Sequence, residues 1–390
     1  MLIKPDLTRF AKLKVIGVGG GGGNAIASMI NSGSIQGVDF VAVNTDAQVL
    51  LANPAPTKIQ IGESLTRGLG SGGDPEMGKK AAEESAKKIE EKIADADMIF
   101  IAAGMGGGTG TGASGIIADI AKKCGVLTVG VVTKPFAFEG TQRLVIAEEG
   151  VVELKDKVDA LIVIPNQRII EIVDKKVTLL EAFRMADSVL TASVQGISDL
   201  IVMPGLVNRD FADVKSIMQN AGSALMGIGS GSGENRAGTA ARQAISSPLL
   251  ELTIDGAKGV LFNIIGGPDL TMQEVDEASK IIAAAADADA KIIFGATIDE
   301  AMVDQVKITV IATGFDENRQ RLKQLRFERP GTTPSAYTGP VGIVSDPTSS
   351  ATDPVPPPTE PPPPTDESPK LSPDEFGEEF EIPAFLRKGK

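Results

Sequence analysis

The chain predicts an α/β fold: a parallel sheet in its first half, a long central helix, a second α+β domain with a mostly β sheet, and a disordered C-terminal tail. Three observations carry that prediction. Short uninterrupted apolar runs alternate with helical patterns up to about residue 165. One helical pattern continues from Leu179 to Val202. Composition then changes after Arg329, with 13 of the chain's 24 prolines in residues 330–369. A length of 390 residues suggests two domains rather than one.

The elements follow in order. Residues 13–18 form the first apolar run, succeeded by glycines and a helical pattern at 24–30. Residues 39–43 read as a second strand, and 83–94 as a charged helix with Glu and Lys three or four apart. A third apolar run, 98–103, again leads through glycines into a helix at 114–123, and strands follow at 127–132 and 160–164. Apolar strands alternating with helices imply a Rossmann-like parallel sheet covered on both faces, with its ligand outside the carboxyl ends of the strands. After the long helix come a shorter helix at 213–220, a Gly/Ser-rich strand and loop at 225–233 and a helix at 236–245. A strand at 258–265, a helix at 271–286 and strands at 291–297 and 305–313 complete the second domain. The predicted boundaries are 1–178, 179–202, 203–316, a Pro-rich linker at 317–376 that cannot bury a core, and a terminal peptide at 377–390.

Composition excludes several chemistries. The chain has no His, which removes Ser-His-Asp and Cys-His catalysis and imidazole metal ligation together. Its single Cys124 allows no internal disulfide and no Cys-cluster metal site. A net charge of −13 argues against a nucleic-acid-binding face, yet leaves open a free nucleotide held by backbone amides. No apolar run approaches the ~20 residues that span a bilayer. The first residues lack the apolar core of a secretory signal. A cytoplasmic protein without direct membrane insertion is expected.

Two glycine-rich turns each follow an apolar strand and precede a helix: Gly17-Val18-Gly19-Gly20-Gly21-Gly22-Gly23-Asn24 and Gly104-Met105-Gly106-Gly107-Gly108-Thr109-Gly110-Thr111-Gly112. Such turns let the backbone approach an anion, and the helix N-terminus adds free N–H donors and the positive end of its dipole. Neither contains a P-loop lysine, so amides and the Thr109 and Thr111 hydroxyls are expected to cradle phosphates. The first turn alone satisfies Gly-x-Gly-x-x-Gly and favours a dinucleotide enzyme, with Asp46 placed to take a ribose hydroxyl. The second reverses this, because two converging turns suit a triphosphate chain.

The segment Gly106-Gly107-Gly108-Thr109-Gly110-Thr111-Gly112 resembles the signature of the tubulin and FtsZ superfamily. A resemblance to the FtsZ family extends over about residues 10–315 and the terminal peptide, and includes Asn44-Thr45-Asp46, Gly68-Leu69-Gly70 and residues 133–140 and 208–213. It implies a GTPase of bacterial cell division that polymerises head to tail, located in the cytoplasm as a ring at midcell. It also implies nucleotide contacts from Gly20, Gly21, Gly22, Gly23, Asn24 and Ala25, and from Gly107, Gly108, Thr109, Gly110 and Thr111. Guanine presents N1–H and an amino group, two donors that a carboxylate accepts, and Asp187 is the position matching that role. Asn166 can add an amide contact, and Phe183, one helical turn before Asp187, can stack on the base. Glu139 and Arg143 are implied near the ribose and phosphates. Ser71 and Asp74 depart from the family's usual residues in the 70–73 loop near the γ-phosphate.

For hydrolysis, the candidates to orient the attacking water are Asn208, Asp210 and Asp213. Asp210 and Asp213 stand three apart at a helix start, and also read simply as an N-cap and a first-turn acid. A helix of ~24 residues carries them roughly 36 Å from the base-binding end, too far to serve their own nucleotide. That distance agrees with the in-trans site implied by the resemblance, a heterologous contact that builds a filament. Mg²⁺ is expected on the β- and γ-phosphates with few protein ligands and no dedicated metal site, Asp46 being a candidate contact through water. The terminal Glu381-Ile382-Pro383-Ala384-Phe385-Leu386-Arg387 resembles the family's docking peptide for membrane tethers and regulatory division proteins. Two further readings stay open from sequence: a monomeric nicotinamide oxidoreductase, and a filament protein that hydrolyses GTP poorly.

Overall fold

The structure, a computed structural model, describes residues 11–172, 177–202, 210–247 and 254–315. Asn208, the proline-rich segment and the terminal peptide 381–387 lie outside the described residues. The strands are β1 (Leu13–Val18), β2 (Val38–Asn44), β3 (Thr57–Gln60), β4 (Met98–Gly104), β5 (Leu127–Lys134), β6 (Ala160–Pro165), β7 (Gly222–Ser232), β8 (Gly259–Gly266), β9 (Lys291–Ile298) and β10 (Gln305–Thr313). The helices are α1 (Gly19–Ser32), α2 (Ala47–Ala52), α3 (Glu63–Thr66), α4 (Pro75–Glu84), α5 (Ala86–Ile93) and α6 (Gly108–Lys123). They continue with α7 (Thr141–Lys155), α8 (Asn166–Ile172), α9 (Leu179–Val202), α10 (Phe211–Met218), α11 (Arg236–Ile245) and α12 (Met272–Ala285).

All ten strands form one sheet in the order β3-β2-β1-β4-β5-β6-β7-β10-β8-β9. Pairing is parallel from β3 to β7; β10 runs antiparallel to both its neighbours, and β8 and β9 are parallel. The two halves join through only three residue pairs, Ala160–Gly222, Leu161–Ser223 and Ile162–Ala224. Asp159 reinforces that joint: its carboxylate accepts from the Thr128 and Asn220 N–H groups, and its carbonyl accepts from Gly222 N–H.

Alternation along the parallel strands divides the core between two faces. Phe40, Val15, Phe100 and Val129 lie side by side in register and face α1 and α9. The following residues Val41, Ile16 and Ile101 face the layer of α4, α5 and α6. Beyond the joint, Val260, Phe262, Ile308 and Val310 pack under α11 and α12. Helix α9 backs the whole assembly. Its buried Ala186, Leu190, Val194 and Ile197 follow helical spacing, and each large apolar side chain buried there contributes roughly 1.5–3 kcal/mol. Glycine permits the closest approach: a Cβ at Gly196 would lie 2.7 Å from Thr309 Cγ2 on β10.

Besides β3, α2, α3, α7 and α8, which the sequence reading did not place, two local outcomes differ from it. Both glycine turns are already helix: α1 starts at Gly19 and α6 at Gly108, not several residues later. The charged helix expected at 83–94 is two helices broken at Ser85, whose hydroxyl accepts from Gly62 N–H.

A buried ion cluster ties the far half together. The Arg236 guanidinium, 5% exposed as a residue, donates to Glu274 Oε1 at 2.5 Å and to Asp269 Oδ2 at 2.5 Å. Arg236 holds the Glu274 carboxyl down at about 2. Removing the arginine leaves two carboxylates facing each other, so Arg236→Met is expected to cost about 3 kcal/mol in urea unfolding at pH 7. Because the folded pKa is depressed, this contribution is complete above the ordinary Glu value near 4.5 and fades as pH falls towards 2. The gap between wild type and variant should therefore narrow over that window; a constant gap contradicts the assignment.

Candidate functional site

The carboxyl ends of β1, β4 and β6 open onto a cavity of about 650 Å³, within the range of small-molecule sites. Its floor is made by the two helix N-termini. Gly20, Gly21 and Asn24 line it from α1, and Gly107, Gly108, Thr109 and Gly110 from α6. The two turns touch: a Cβ on Gly21 would stand 3.2 Å from the Gly104 backbone. Gly19, at φ +71°, turns the chain from strand into helix where only glycine is comfortable, and its Cβ would meet Gly110 N at 2.8 Å. The result is a pair of convergent N-termini with open N–H groups and no cationic side chain in the floor, a cradle for a chain of phosphates.

One end of the cavity is built for a planar base. Phe183 on α9 is 41% exposed and meets the buried Phe136 edge-on at 5.3 Å, which fixes its ring while leaving a face free. Asp187, one turn along, lines the cavity with no charge partner, and burial lifts its pKa to about 6. Asn166, 5% exposed at the start of α8, has a buried Oδ1 with no hydrogen-bond partner. A buried acceptor left without a partner, in a cavity that Asp187 also lines, points to a ligand that brings donors, as guanine does. Glu139 and Arg143 form an i,i+4 ion pair at 2.7 Å on the cavity wall, and Glu139 also accepts from Phe136 N–H, holding the turn below the base.

The opposite end carries hydroxyls. Thr45 and Thr109 are hydrogen-bonded at 2.7 Å, and Ser71 lies 3.0 Å from Thr109. Asp46 lines the same end, with Oδ1 occupied by the Gln48 and Val49 N–H groups that it caps on α2. Among the described residues no group of three or more Asp, Glu, His or Cys is gathered for a metal ion. A Mg²⁺ here must draw most of its ligands from phosphate and water, to which the remaining Asp46 oxygen is suited.

The lining is narrower than the sequence motifs. Gly22, Gly23 and Ala25 are buried behind the first turn: a Cβ at Gly22 would collide with the Ala102 carbonyl, and the Gly23 carbonyl accepts from Asn53. The Thr111 hydroxyl, expected on a phosphate, accepts from Gly106 N–H inside the turn. Position in the motif gave no hint of this, since residues on opposite sides of a helical turn are adjacent in sequence. Thr45, Thr133 and Leu190 line the cavity without having been singled out individually, and Ser71, noted as a departure from the family, lines it too. Thr45 had a signal in its neighbour Asp46; Leu190 is one helical turn beyond Ala186, on the face of α9 that carries Asp187.

Asp210 and Asp213 are elsewhere. Neither lines the cavity. Asp210 caps α10 by accepting from Asp213 N–H at 2.9 Å, and both side chains are at least partly exposed. The far end of α9 is at the amino edge of the parallel sheet, where Val202 packs against Gly37 just before β2. Helix α10 leads into β7 at the same edge, through the Asp159 contacts that open β6.

Comparison with known proteins agrees with this architecture. The family model for the tubulin/FtsZ family GTPase domain matches residues 12–174, and that for the FtsZ family C-terminal domain matches residues 222–316. An empty FtsZ dimer from M. jannaschii is 48% identical, with a TM-score of 0.75, over 79% of this chain and 89% of that one. CetZ1 from Haloferax volcanii, solved as a GDP-bound monomer, is 22% identical with a TM-score of 0.68, over 81% and 98% of the two chains. CetZ2 from the same organism, solved as a GTPγS-bound protofilament, is also 22% identical, with a TM-score of 0.63, over 82% and 100%. At that identity the CetZ proteins attest the fold alone. With both domain models matched in order and nearly half of the residues shared with a solved member, the chain belongs to the FtsZ family of tubulin-like GTPases.

Proposed function

We propose that this protein binds GTP in the cavity, assembles head to tail with copies of itself, and hydrolyses GTP at the joint between subunits. One observation carries the reading: the nucleotide cradle and the acidic pair Asp210/Asp213 belong to opposite edges of the sheet. A protomer therefore holds a pocket without a water-orienting group, and a water-orienting group without a pocket. Stacking one subunit on the next brings them together, and because the two surfaces differ, the contact repeats into a filament. The solved relative described as an FtsZ dimer supports self-association.

Within the joint, Gly20, Gly21, Gly107, Gly108 and Gly110 supply amides to the phosphates, and Glu139 and Arg143 hold the ribose end. Phe183, Asp187 and Asn166 take guanine. Asp213 and Asp210 of the next subunit, with Asn208, orient a water in line with the γ-phosphorus. The water oxygen bonds to phosphorus as the bond to GDP breaks, and a carboxylate accepts the released proton. A bound Mg²⁺ would offset the charge of the phosphates, with Asp46 the residue that would hold it through water. The peptide 381–387 tethers filaments to membrane-bound and regulatory proteins of division, which places the working form in the cytoplasm, in a ring at midcell.

Specific GTPase rate should rise steeply above a threshold protein concentration and nearly vanish below it; a rate indifferent to dilution removes the in-trans site. Asp213→Ala should bind GTP normally yet lose turnover by about 100-fold, the scale of one transition-state group. Weakened binding with normal turnover contradicts its role.

Asp187 supplies a pH test. Guanine donors favour the ionised carboxylate, so affinity should fall as pH drops through about 6, where the empty site takes up its proton. Asp187→Asn should weaken GTP and GDP alike by at least about tenfold and respond less to pH between 5 and 7. Equal pH responses in the two proteins argue against a carboxylate–guanine contact.

A further inference from the structure

We infer that the free edge of β9 is a contact surface for a second copy of this chain, which pairs with it strand to strand, antiparallel, about a two-fold axis. The surface lies in the second domain and does not depend on the nucleotide reading of the cavity. Among the described residues β9 has a strand on one side only, β8. Alternate backbone N–H and C=O groups along its other side are therefore open to a further strand.

The two ends of the sheet are treated differently. At one end β3 is four residues long and follows two prolines, Pro54 and Pro56, which blunts it as a template. At the other end β9 runs for eight residues, Lys291–Ile298, without proline and without a charge after its first residue. Its register with β8 is unbroken over all eight, so no bulge turns the edge away. Its centre leaves the edge bare. Phe294 stacks on Phe262 of β8 at 5.8 Å, and Gly295 lies under α9, where a Cβ would stand 2.3 Å from Leu200 Cδ2.

Charge gives the partner. Lys291 opens the strand, Asp299 and Glu300 follow its last residue, and all three are exposed. Placed antiparallel against itself with Gly295 on the two-fold axis, the strand sets Lys291 of each copy opposite Asp299 of the other, and Ile292 opposite Ile298. Lys291 gives one of its three hydrogens to Ser216, and Asp299 uses one oxygen on Ala301 N–H, so each keeps capacity for the other. A parallel arrangement would set lysine beside lysine and would not close. One strand pair falls well short of the ~1,200 Å² at which specific interfaces begin, so the contact is weak between free chains. It gains strength where subunits repeat along a filament.

The test uses the nucleotide-free full chain carrying Cys124→Ser, so that only introduced thiols react. An equal mixture of Ile292→Cys and Ile298→Cys proteins, mildly oxidised, should yield about five times more disulfide-linked pairs than either protein alone, because like thiols would lie about 20 Å apart in this register. Sedimentation equilibrium reads the same contact without new thiols. Lys291→Glu should weaken self-association about tenfold by setting like charges opposite at both ends, and Lys291→Glu combined with Asp299→Lys should restore it. Equal yields from the mixture and from the single proteins, a Lys291→Glu chain that associates like wild type, or a charge swap that fails to restore association overturns the inference. So does a thiol at position 292 that resists alkylation in a monomeric chain, since another segment of the same chain then covers the edge. A wild-type chain that stays monomeric up to ~1 mM with that thiol freely alkylated overturns it too, and leaves the edge to a strand of another protein.

Discussion

Helix α9 fixes the geometry on which the rest depends. It is packed along one face of the sheet by Ala186, Leu190, Val194 and Ile197, so it can neither shorten nor tilt without opening the core. Its first turns place Phe183 and Asp187 at the carboxyl edge, and its last residue, Val202, rests at the amino edge against Gly37. A rigid rod between two functional ends makes a protomer directional. Burial by α9 of both the parallel half and β8–β10 also explains why a joint of three β6–β7 pairs suffices to hold the halves in one body.

The site trades stability for readiness. Asp187 is desolvated by burial and Asn166 Oδ1 is buried without a partner, costs that a compact protein normally avoids. A chain with a net charge of −13 nevertheless offers a phosphate cradle, because the positive potential at its floor comes from two helix N-termini. Such a site needs no lysine.

Much of this was legible in the residues themselves. Apolar strands such as Leu13–Val18 and Met98–Gly104 declared a buried parallel sheet, and the two glycine turns declared where its ligand sits. Side-chain direction within those turns was not legible: Thr109 faces the cavity and Thr111, two residues on, caps Gly106, a difference set by helical rotation from the first residue of α6. The break at Ser85 was hidden because helical spacing continues across it, and the contact of its hydroxyl with Gly62 N–H joins residues 23 apart in sequence. The joining of the two halves through Asp159 and Gly222 lay equally out of reach, since three residue pairs leave no periodic mark.

The division of one hydrolytic centre between two molecules is tested most directly by mixing two crippled proteins. Asp213→Ala keeps an intact pocket and Asp187→Ala keeps an intact acidic end. In an equal, random copolymer about a quarter of the joints pair the two intact surfaces. The account predicts that the mixture regains a corresponding share of wild-type turnover while each protein alone stays nearly inactive. A mixture that sediments as polymer but hydrolyses GTP no faster than the sum of its two components would contradict it.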